Sequence, residues 1–499
     1  MITQHRSLLS SVVNSIKWVG LGIVVQMGLR VGVLAVMARL VAPRDFGLLA
    51  IAFVFTSFAE RLGQVGVGAA FVQRAEVDAD DLKTALFLSL GSGIAIAAAL
   101  CAIAPFAANF FHEEELRAII VVLSIGFVLD GIGVVSDGML QRELRFREIV
   151  KVETASFVFG LVLVGIVLGA LDFGVWALVV ANLAMRGSKA ALLVISRPIS
   201  LSGRFSSMRA KRLLSTGIGF SLGKVLNFLS LQGDNFVVGR LLGAEALGMY
   251  TRAYQAMTLP AMYVGQAFER VLFPALSQKQ DDVSTLRKGL LSTLEISALV
   301  ALPVSIGMYF LSEEIVLVLF GEIWRPIIPV LKVLSCGVFF RAAYKCSDVL
   351  IRSKGDVYAY AARQAVYTAV IVLGSLYGGW MGGLQGVAYA VVAGVITNYL
   401  LMTHLAGGIA EATTAELVRS HVPGSWVALW VGIALASALP VLRAQAFAPW
   451  QILIIAVLGS LVVGIASWLL SGRLATGSHV YALMAGLLRK RQSVGKPLG

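Results

Sequence analysis

Long apolar runs recur along the chain, separated by short polar breaks. Fourteen of them are long enough, or nearly so, to cross a hydrocarbon core of about 30 Å as helices. They cover residues 16–40, 46–70, 84–108, 118–140, 152–171, 174–195, 215–242, 246–272, 289–311, 326–350, 358–376, 384–403, 426–442 and 450–470. The run at 426–442 is short for a crossing. The first run is too long and too polar for a cleavable leader, since it carries Lys17, Gln26 and Arg30. The longest interruptions are the basic linker 196–214 and the stretch 406–425. No soluble domain is inserted, so the pattern places the working part of the protein within the bilayer.

The breaks alternate in charge. Arg39, Arg44, Arg117, Arg240, Arg325 and Arg443 fall on one side, and the loop cations on the other side greatly outnumber them. By the positive-inside rule the richer side is cytoplasmic, both termini lie there, and the number of spans is even.

The two halves also resemble each other. Arg39-Leu40 followed by Gly47-Leu48 matches Arg240-Leu241 followed by Gly248-Met249, at an offset of 201. Val122-Leu123-Ser124, Gly126 and Ser136-Asp137 match Val333-Leu334-Ser335, Gly337 and Ser347-Asp348 at 211. Gly174-Val175 and Val179-Val180-Ala181 match Gly386-Val387 and Val391-Val392-Ala393 at 212. Three matches in one order predict two parallel six-helix repeats, with an axis along the membrane normal and a binding site between them. The expected architecture is therefore an all-α membrane protein. Residues 1–195 form an N-terminal six-helix lobe, 196–214 a basic linker, 215–405 a second six-helix lobe, and 406–499 two additional helices and a basic tail.

Composition agrees. Hydrophobic residues make up 58% of the 499 and charged ones 14%, against roughly 45–50% and 25% in soluble domains. That excludes a soluble, disordered or disulfide-built chain. The net charge of +13 then reads as topology, and no nucleic-acid motif accompanies it. Cys101, Cys336 and Cys346 have no metal or redox spacing and read as small buried side chains. The five histidines form no ligand cluster, so no metal and no cofactor is expected. Asp78-Ala79-Asp80-Asp81 has the look of a glycosyltransferase metal motif. In a short loop without a catalytic domain it reads as a solvated acidic turn.

Ionisable groups inside spans are costly and are functional candidates by default. Gln26 and Arg30 share a face of the first span. The second carries Glu60-Arg61. The seventh carries Lys224, Asn227 and Asp234, and Arg252 lies about two turns into the eighth. Asp130 and Asp137 share a face of the fourth span, and the repeat aligns them with Arg341 and Asp348, with Lys345 between. Internal ion pairing is one reading of such a set. The other is a water-filled cavity with spare positive charge, suited to an anionic ligand such as a phosphate or pyrophosphate headgroup. On that reading Arg30, Lys224, Arg252 and Arg341 bind the anion, and Gln26 and Asn227 face its polar remainder. Glu60, Arg61, Asp130, Asp234 and Lys345 form a switching ion-pair set.

Several segments resemble a known family. They are Arg39-Leu40-Val41-Ala42-Pro43-Arg44-Asp45-Phe46-Gly47-Leu48, Leu140-Gln141-Arg142-Glu143-Leu144-Arg145-Phe146-Arg147 and Phe173-Gly174-Val175-Trp176-Ala177-Leu178-Val179. Further on come Asp234 through Gly243, Ala246-Leu247-Gly248-Met249-Tyr250 with Ala253-Tyr254, and Val271-Leu272-Phe273-Pro274-Ala275-Leu276-Ser277. Together they resemble bacterial polysaccharide transporters of the Wzx type. These belong to the multidrug/oligosaccharidyl-lipid/polysaccharide exporter superfamily, and the similarity is to its colanic acid and succinoglycan exporters. The resemblance spans about residues 10–410. It implies a flippase, not an enzyme, moving undecaprenyl-pyrophosphate-linked oligosaccharide across the bacterial inner membrane by alternating access. It implies membrane lipid as surroundings, and a polysaccharide polymerase and chain-length regulator as partners. By helix position it would put cavity cations at Arg30 and Arg252. The alternatives are a multidrug exporter, a lipid II flippase and, from another class, a membrane glycosyltransferase or polymerase. The last needs a sizeable loop bearing catalytic groups.

Overall fold

The computed structural model describes residues 27–63, 78–199, 202–207, 210, 221–277, 282–354, 356–445 and 447–470. No strand occurs among them. Among the described residues, eight helices are long and apolar enough to cross a membrane, or nine if one bent pair is a single span. Two helical stretches are longer than one crossing: Ser221–Ser277, of 57 residues, and Val357–Ile409, of 53. At 1.5 Å per residue each would be roughly 80 Å long if straight, more than twice a hydrocarbon core. Each breaks at a glycine with positive φ, Gly243 (86°) in the first and Gly383 (56°) in the second. A side chain there would strain the backbone.

The chain divides into two compact units, Met1–Met249 and Tyr250–Gly499. The first unit holds α1 (27–40), α2 (Pro43–Gly63), α3 (Ala79–Phe111), α4 (Glu115–Arg142), α5 (Phe146–Phe157, continued to Ala170), α6 (Val175–Ser196) and the start of α7 (Ser221–Ser277). α3 lies along α4, which also packs on α6. The middle of α5 winds as a π-helix over Val158–Gly165, where the pattern predicts an ordinary span. Gly160 there sits against the Met185 backbone of α6, with no room for a Cβ. The acidic turn is more than solvated. Asp78 caps α3 by accepting from the Asp81 N–H at 2.8 Å, and Asp80 accepts from the Arg204 N–H at 2.7 Å. Within the predicted basic linker at 196–214, residues 200–201, 208–209 and 211–214 lie outside the described residues.

The repeated motif has a structural meaning in this unit. A Cβ on Gly47 would overlap the Ala244 carbonyl, and a Cβ on Gly248 would overlap the Pro43 carbonyl. Positions 43 and 47 correspond to 244 and 248 at the offset of 201. The two copies of the motif thus cross each other reciprocally, backbone on backbone. Around this crossing Arg44 donates to Glu113 (2.7 Å) and Glu115 (3.0 Å), and Asp45 accepts from the Val175 N–H. At the other end of the unit Glu143 accepts from Arg197 (2.8 Å) and Arg145 (3.1 Å). These guanidinium groups, Arg197 first, hold the Glu143 carboxyl below the usual carboxylate range.

The second unit holds the rest of α7, α8 (Val283–Phe310), α9 (Ser312–Leu319), a 3₁₀ turn (Glu322–Ile327), α10 (Ile328–Ser335), α11 (Val338–Lys354), α12 (Val357–Ile409), α13 (Thr414–Arg419), α14 (Val422–Ala444) and α15 (Pro449–Leu470). The predicted straight span at 326–350 is instead a bent pair, with 43° between the two parts. Pro326 and Pro329 tighten its start, and the α-helical run stops at Cys336–Gly337. The short run at 426–442 also changes: α14 begins at Val422 and has 23 residues, enough for a crossing. Before it, the expected polar stretch folds as α13. Its Thr413 and Glu416 cap each other's backbone in a capping box.

α14 packs on α8 and α15, around a core of Leu311, Val427, Val431, Leu435, Leu439, Ile452 and Ala456. Ion pairs fix both ends. Arg287 holds Glu416 at 2.5 Å beside its start. At its far end Arg443 grips the buried Glu314 at 2.8 and 3.0 Å. Asp282 caps α8 by accepting from the Thr285 N–H at 3.1 Å. The Thr285 and Ser284 hydroxyls also donate to it, the Thr285 bond being the strongest influence, and its carboxyl pKa falls to about 2.

Candidate functional site

The first unit pairs its central charge internally. Asp130 on α4 is bound by Arg186 on α6, whose Nε donates in turn to Asn182 at 3.1 Å. The Phe127 ring lies 5.7 Å from the same guanidinium. Next to this pair, Lys189 approaches Glu153 at 3.7 Å. Asp137, one stripe further along α4, accepts from Gln141 at 3.1 Å. Arg30 is exposed, 6.0 Å from the centroid of Phe157. Glu60 is exposed and Arg61 half-buried at the end of α2. Asp234 is 2% exposed and accepts from the Asn235 N–H at 2.9 Å. Gln26 lies outside the described residues, as do the side chains of Lys224 and Asn227.

The second unit keeps cations at membrane depth. Arg252 donates to Gln255 at 2.5 Å, one turn on along the same helix. Arg341 stacks 5.0 Å from the Tyr254 ring centroid. Lys345 stands one turn beyond it, 4.0 Å from Asp348, which Arg352 also holds at 3.1 Å. Where the first repeat has Asp130 with a fixed Arg186 partner, the second has Arg341.

Sequence reading missed three charged groups, Arg186, the buried Glu295 of α8 and Glu314, and it read Arg443, the partner of Glu314, only as a loop cation. Their signal was present, since Asn182 and Arg186 are spaced i, i+4 and Glu295 interrupts a long apolar run. The cysteines also differ from expectation. Cys346 is buried, but Cys101 and Cys336 are exposed.

The same unit has an apolar groove of about 520 Å³ between α8, α14 and α15. Leu299, Pro303 and Gly307 line it on one side, Val431 on a second, and Leu453 and Val457 on a third. Ser460 and Trp468 are the polar side chains on its wall. Nothing stands within 4 Å of where a Gly307 Cβ would be, so a side chain at 307 would enter open space at the groove wall.

Long apolar helices, two of them broken at glycines, and ionisable groups within them define a multi-pass all-α membrane protein. Solved structures share the fold. The lipid II flippase MurJ, in an inward closed conformation, aligns with 92% of this chain and all of its own at a TM-score of 0.73 and 13% identity. An inward-facing multidrug resistance MATE transporter of the MOP superfamily aligns with 76% of this chain and 94% of its own at 0.61 and 17%.

Residues 36–329 match the family described as Polysaccharide biosynthesis protein, and the chain belongs to it. Curated relatives include Lipopolysaccharide biosynthesis protein WzxC of Escherichia coli (strain K12), 26% identical over 435 residues, 86% of either chain. Succinoglycan biosynthesis transport protein ExoT of Rhizobium meliloti (strain 1021) is 25% identical over 336 residues, 65% of this chain and 66% of its own. Teichuronic acid biosynthesis protein TuaB of Bacillus subtilis (strain 168) is 27% identical over 351 residues, 70% and 72%.

Proposed function

We propose that the protein is a flippase that carries undecaprenyl-pyrophosphate-linked oligosaccharide repeat units across the bacterial inner membrane, for exopolysaccharide or lipopolysaccharide assembly. The observation that carries this reading is that the second unit contains both an apolar groove and intramembrane cations. A lipid-linked anion needs both: hydrocarbon contact for its tail, and guanidinium or ammonium groups for its phosphates. The groove's volume falls within the range of ordinary small-molecule sites, roughly 300–1,000 Å³. Membership of a polysaccharide biosynthesis family and the names of the relatives supply the substrate class.

In this reading Arg30, Lys224, Arg252 and Arg341 hold the pyrophosphate, and Gln26 and Asn227 meet the sugars. Glu60, Arg61, Asp130, Asp234 and Lys345 exchange ion partners as the protein alternates between inward-open and outward-open states. Both termini are cytoplasmic, and a polymerase and a chain-length regulator receive the product.

The test is complementation of a deletion strain, scoring surface polysaccharide and lipid-linked repeat units by mass spectrometry. Arg341→Ala, Arg252→Ala and Gly307→Phe should each abolish export at normal protein level, with repeat units accumulating. Full export in both arginine variants overturns the cation assignment. An unchanged polysaccharide and repeat-unit profile in the deletion strain itself overturns the substrate.

A further inference from the structure

The second unit contains a file of polar side chains that the transport reading leaves unused. It begins at His421, in the joint between α13 and α14. Its Nδ1 lies 2.7 Å from the Leu417 carbonyl oxygen. A carbonyl can only accept, so Nδ1 carries the hydrogen, and in the neutral ring Nε2 keeps its lone pair. Nε2 faces the Tyr399 hydroxyl on α12. Thr403 stands one turn along the same helix from Tyr399. Thr403 Oγ1 is 3.1 Å from Ser347 Oγ on α11. Tyr399, Thr403 and Ser347 are buried. Phe339 sits edge-on to both the His421 and Tyr399 rings, at 5.5 and 5.6 Å, and Phe340 meets Tyr399 at 5.5 Å. The file therefore joins the α13–α14 joint to α12 and α11 through an apolar surround.

We propose that His421 is a proton-binding site, and that Tyr399, Thr403 and Ser347 form a relay whose direction reverses when the proton binds. The step balances with hydronium from solvent as the proton source. A hydronium ion passes its proton to the Nε2 lone pair, leaving water and an imidazolium. The new N–H donates to the Tyr399 oxygen. The Tyr399 hydrogen, which had pointed at Nε2, turns to Thr403, and the Thr403 hydrogen turns to Ser347. One O–H bond of hydronium breaks, one N–H bond forms, and one positive charge is added to the cluster.

Several of the charged and titratable groups around the file have partners of their own. On α13 Glu416 is held by Arg287 of α8. On α11 Asp348 is held by Lys345 and Arg352, and the Cys346 thiol meets the Ser297 hydroxyl of α8 at 3.2 Å. Glu295 of α8 is buried two residues before Ser297 and has its own interactions. Arg419 and His404 stand on α13 and α12 with exposed side chains. The bound proton is thus not cancelled by a salt bridge to His421. It is felt along α11, the helix that carries Arg341 and Lys345. The proton site stands on this geometry alone; its coupling to transport rests on the flippase reading.

The experiment titrates full-length protein, ¹⁵N-labelled at its histidines, in lipid nanodiscs by solid-state NMR. His421→Gln identifies the resonance. That resonance should show an Nδ1–H tautomer at high pH and protonate between about pH 8 and pH 5. Tyr399→Phe, which keeps the ring packing, should move its midpoint and leave the other four histidines where they are. A His421 resonance that stays neutral to pH 5, or that ignores Tyr399→Phe, overturns the site. In parallel, export is measured against external pH in the complemented deletion strain. A flattened profile in His421→Gln and Tyr399→Phe supports coupling. A wild-type profile in both variants overturns coupling and leaves the flippase reading intact. Absence of export by the wild-type chain refutes the flippase reading, while the NMR arm still decides the proton site.

Discussion

The crossing of α2 and α7 at Gly47 and Gly248 can be tested by adding one methyl group to either side. Gly47→Ala puts a Cβ into the Ala244 carbonyl, and Gly248→Ala puts one into the Pro43 carbonyl. Both obstacles are backbone, so no side chain can rotate away. Restoring normal contact distance requires the segments to part by on the order of 1 Å. Overpacking costs about 1–3 kcal/mol, and the upper end applies where nothing flexible yields. Replacing a helical glycine returns about 0.5–1 kcal/mol. Each variant should therefore lose about 2 kcal/mol. The pair should not be additive. Once the first methyl has pushed the segments apart, the second finds room, so the double variant should lose well under the sum, with a coupling of about 1 kcal/mol or more. The assay is denaturant unfolding of purified protein in detergent. Gly307→Ala is the control: its Cβ meets open space, and it should be neutral or slightly stabilising. If Gly47→Ala matches Gly307→Ala, or the double variant costs the full sum, the crossing is not a tight contact and the reasoning fails.

The clamp at the far end of α14 makes a second prediction. Arg443→Ala leaves the buried Glu314 without its guanidinium and should cost about 2–3 kcal/mol, less than the 3–5 of a fully buried pair because Arg443 is half-exposed. Adding Glu314→Gln to it should recover part of the loss, and unfolding of the single and double variants in detergent compares them. Glu143 gives a pH dependence. Its carboxyl titrates lower in the folded protein, so its contribution is fully present above the ordinary carboxylate pKa near 4.5. It fades as pH falls through the lowered folded value. The stability gap between wild type and Glu143→Gln should be flat from pH 7 to about 5 and close below that; a gap that widens in acid contradicts the assignment.

The crossings were legible because membrane helices announce themselves one at a time through hydropathy. Their irregularities were not. The bend at Cys336–Gly337 and the π-helix at Val158–Gly165 sit in runs with the same apolar composition as straight spans. They are set by what packs alongside, as Met185 does at Gly160. The start of α14 was missed because its first turn, Val422–Ser425, reads as loop, while the capping box upstream fixes where the helix can begin. At the candidate site, sequence identified Asp130, Arg341 and Lys345 as notable but not their partners. Arg186 lies 56 residues from Asp130, a pairing only the fold brings about. The relay from His421 to Ser347 joins three helices and left no pattern at all along the chain.

The reciprocal crossing of the two motifs has an ancestral consequence. A contact in which position 43 of one copy meets position 47 of the other, and the reverse, is the isologous contact of a twofold homodimer. Two separate half-length chains would meet in the same way. Gene duplication and fusion then preserve the contact while freeing each copy to diverge. A homodimer must place the same charge at both equivalent positions. The fused chain does not, and it carries Asp130 in one half and Arg341 in the other.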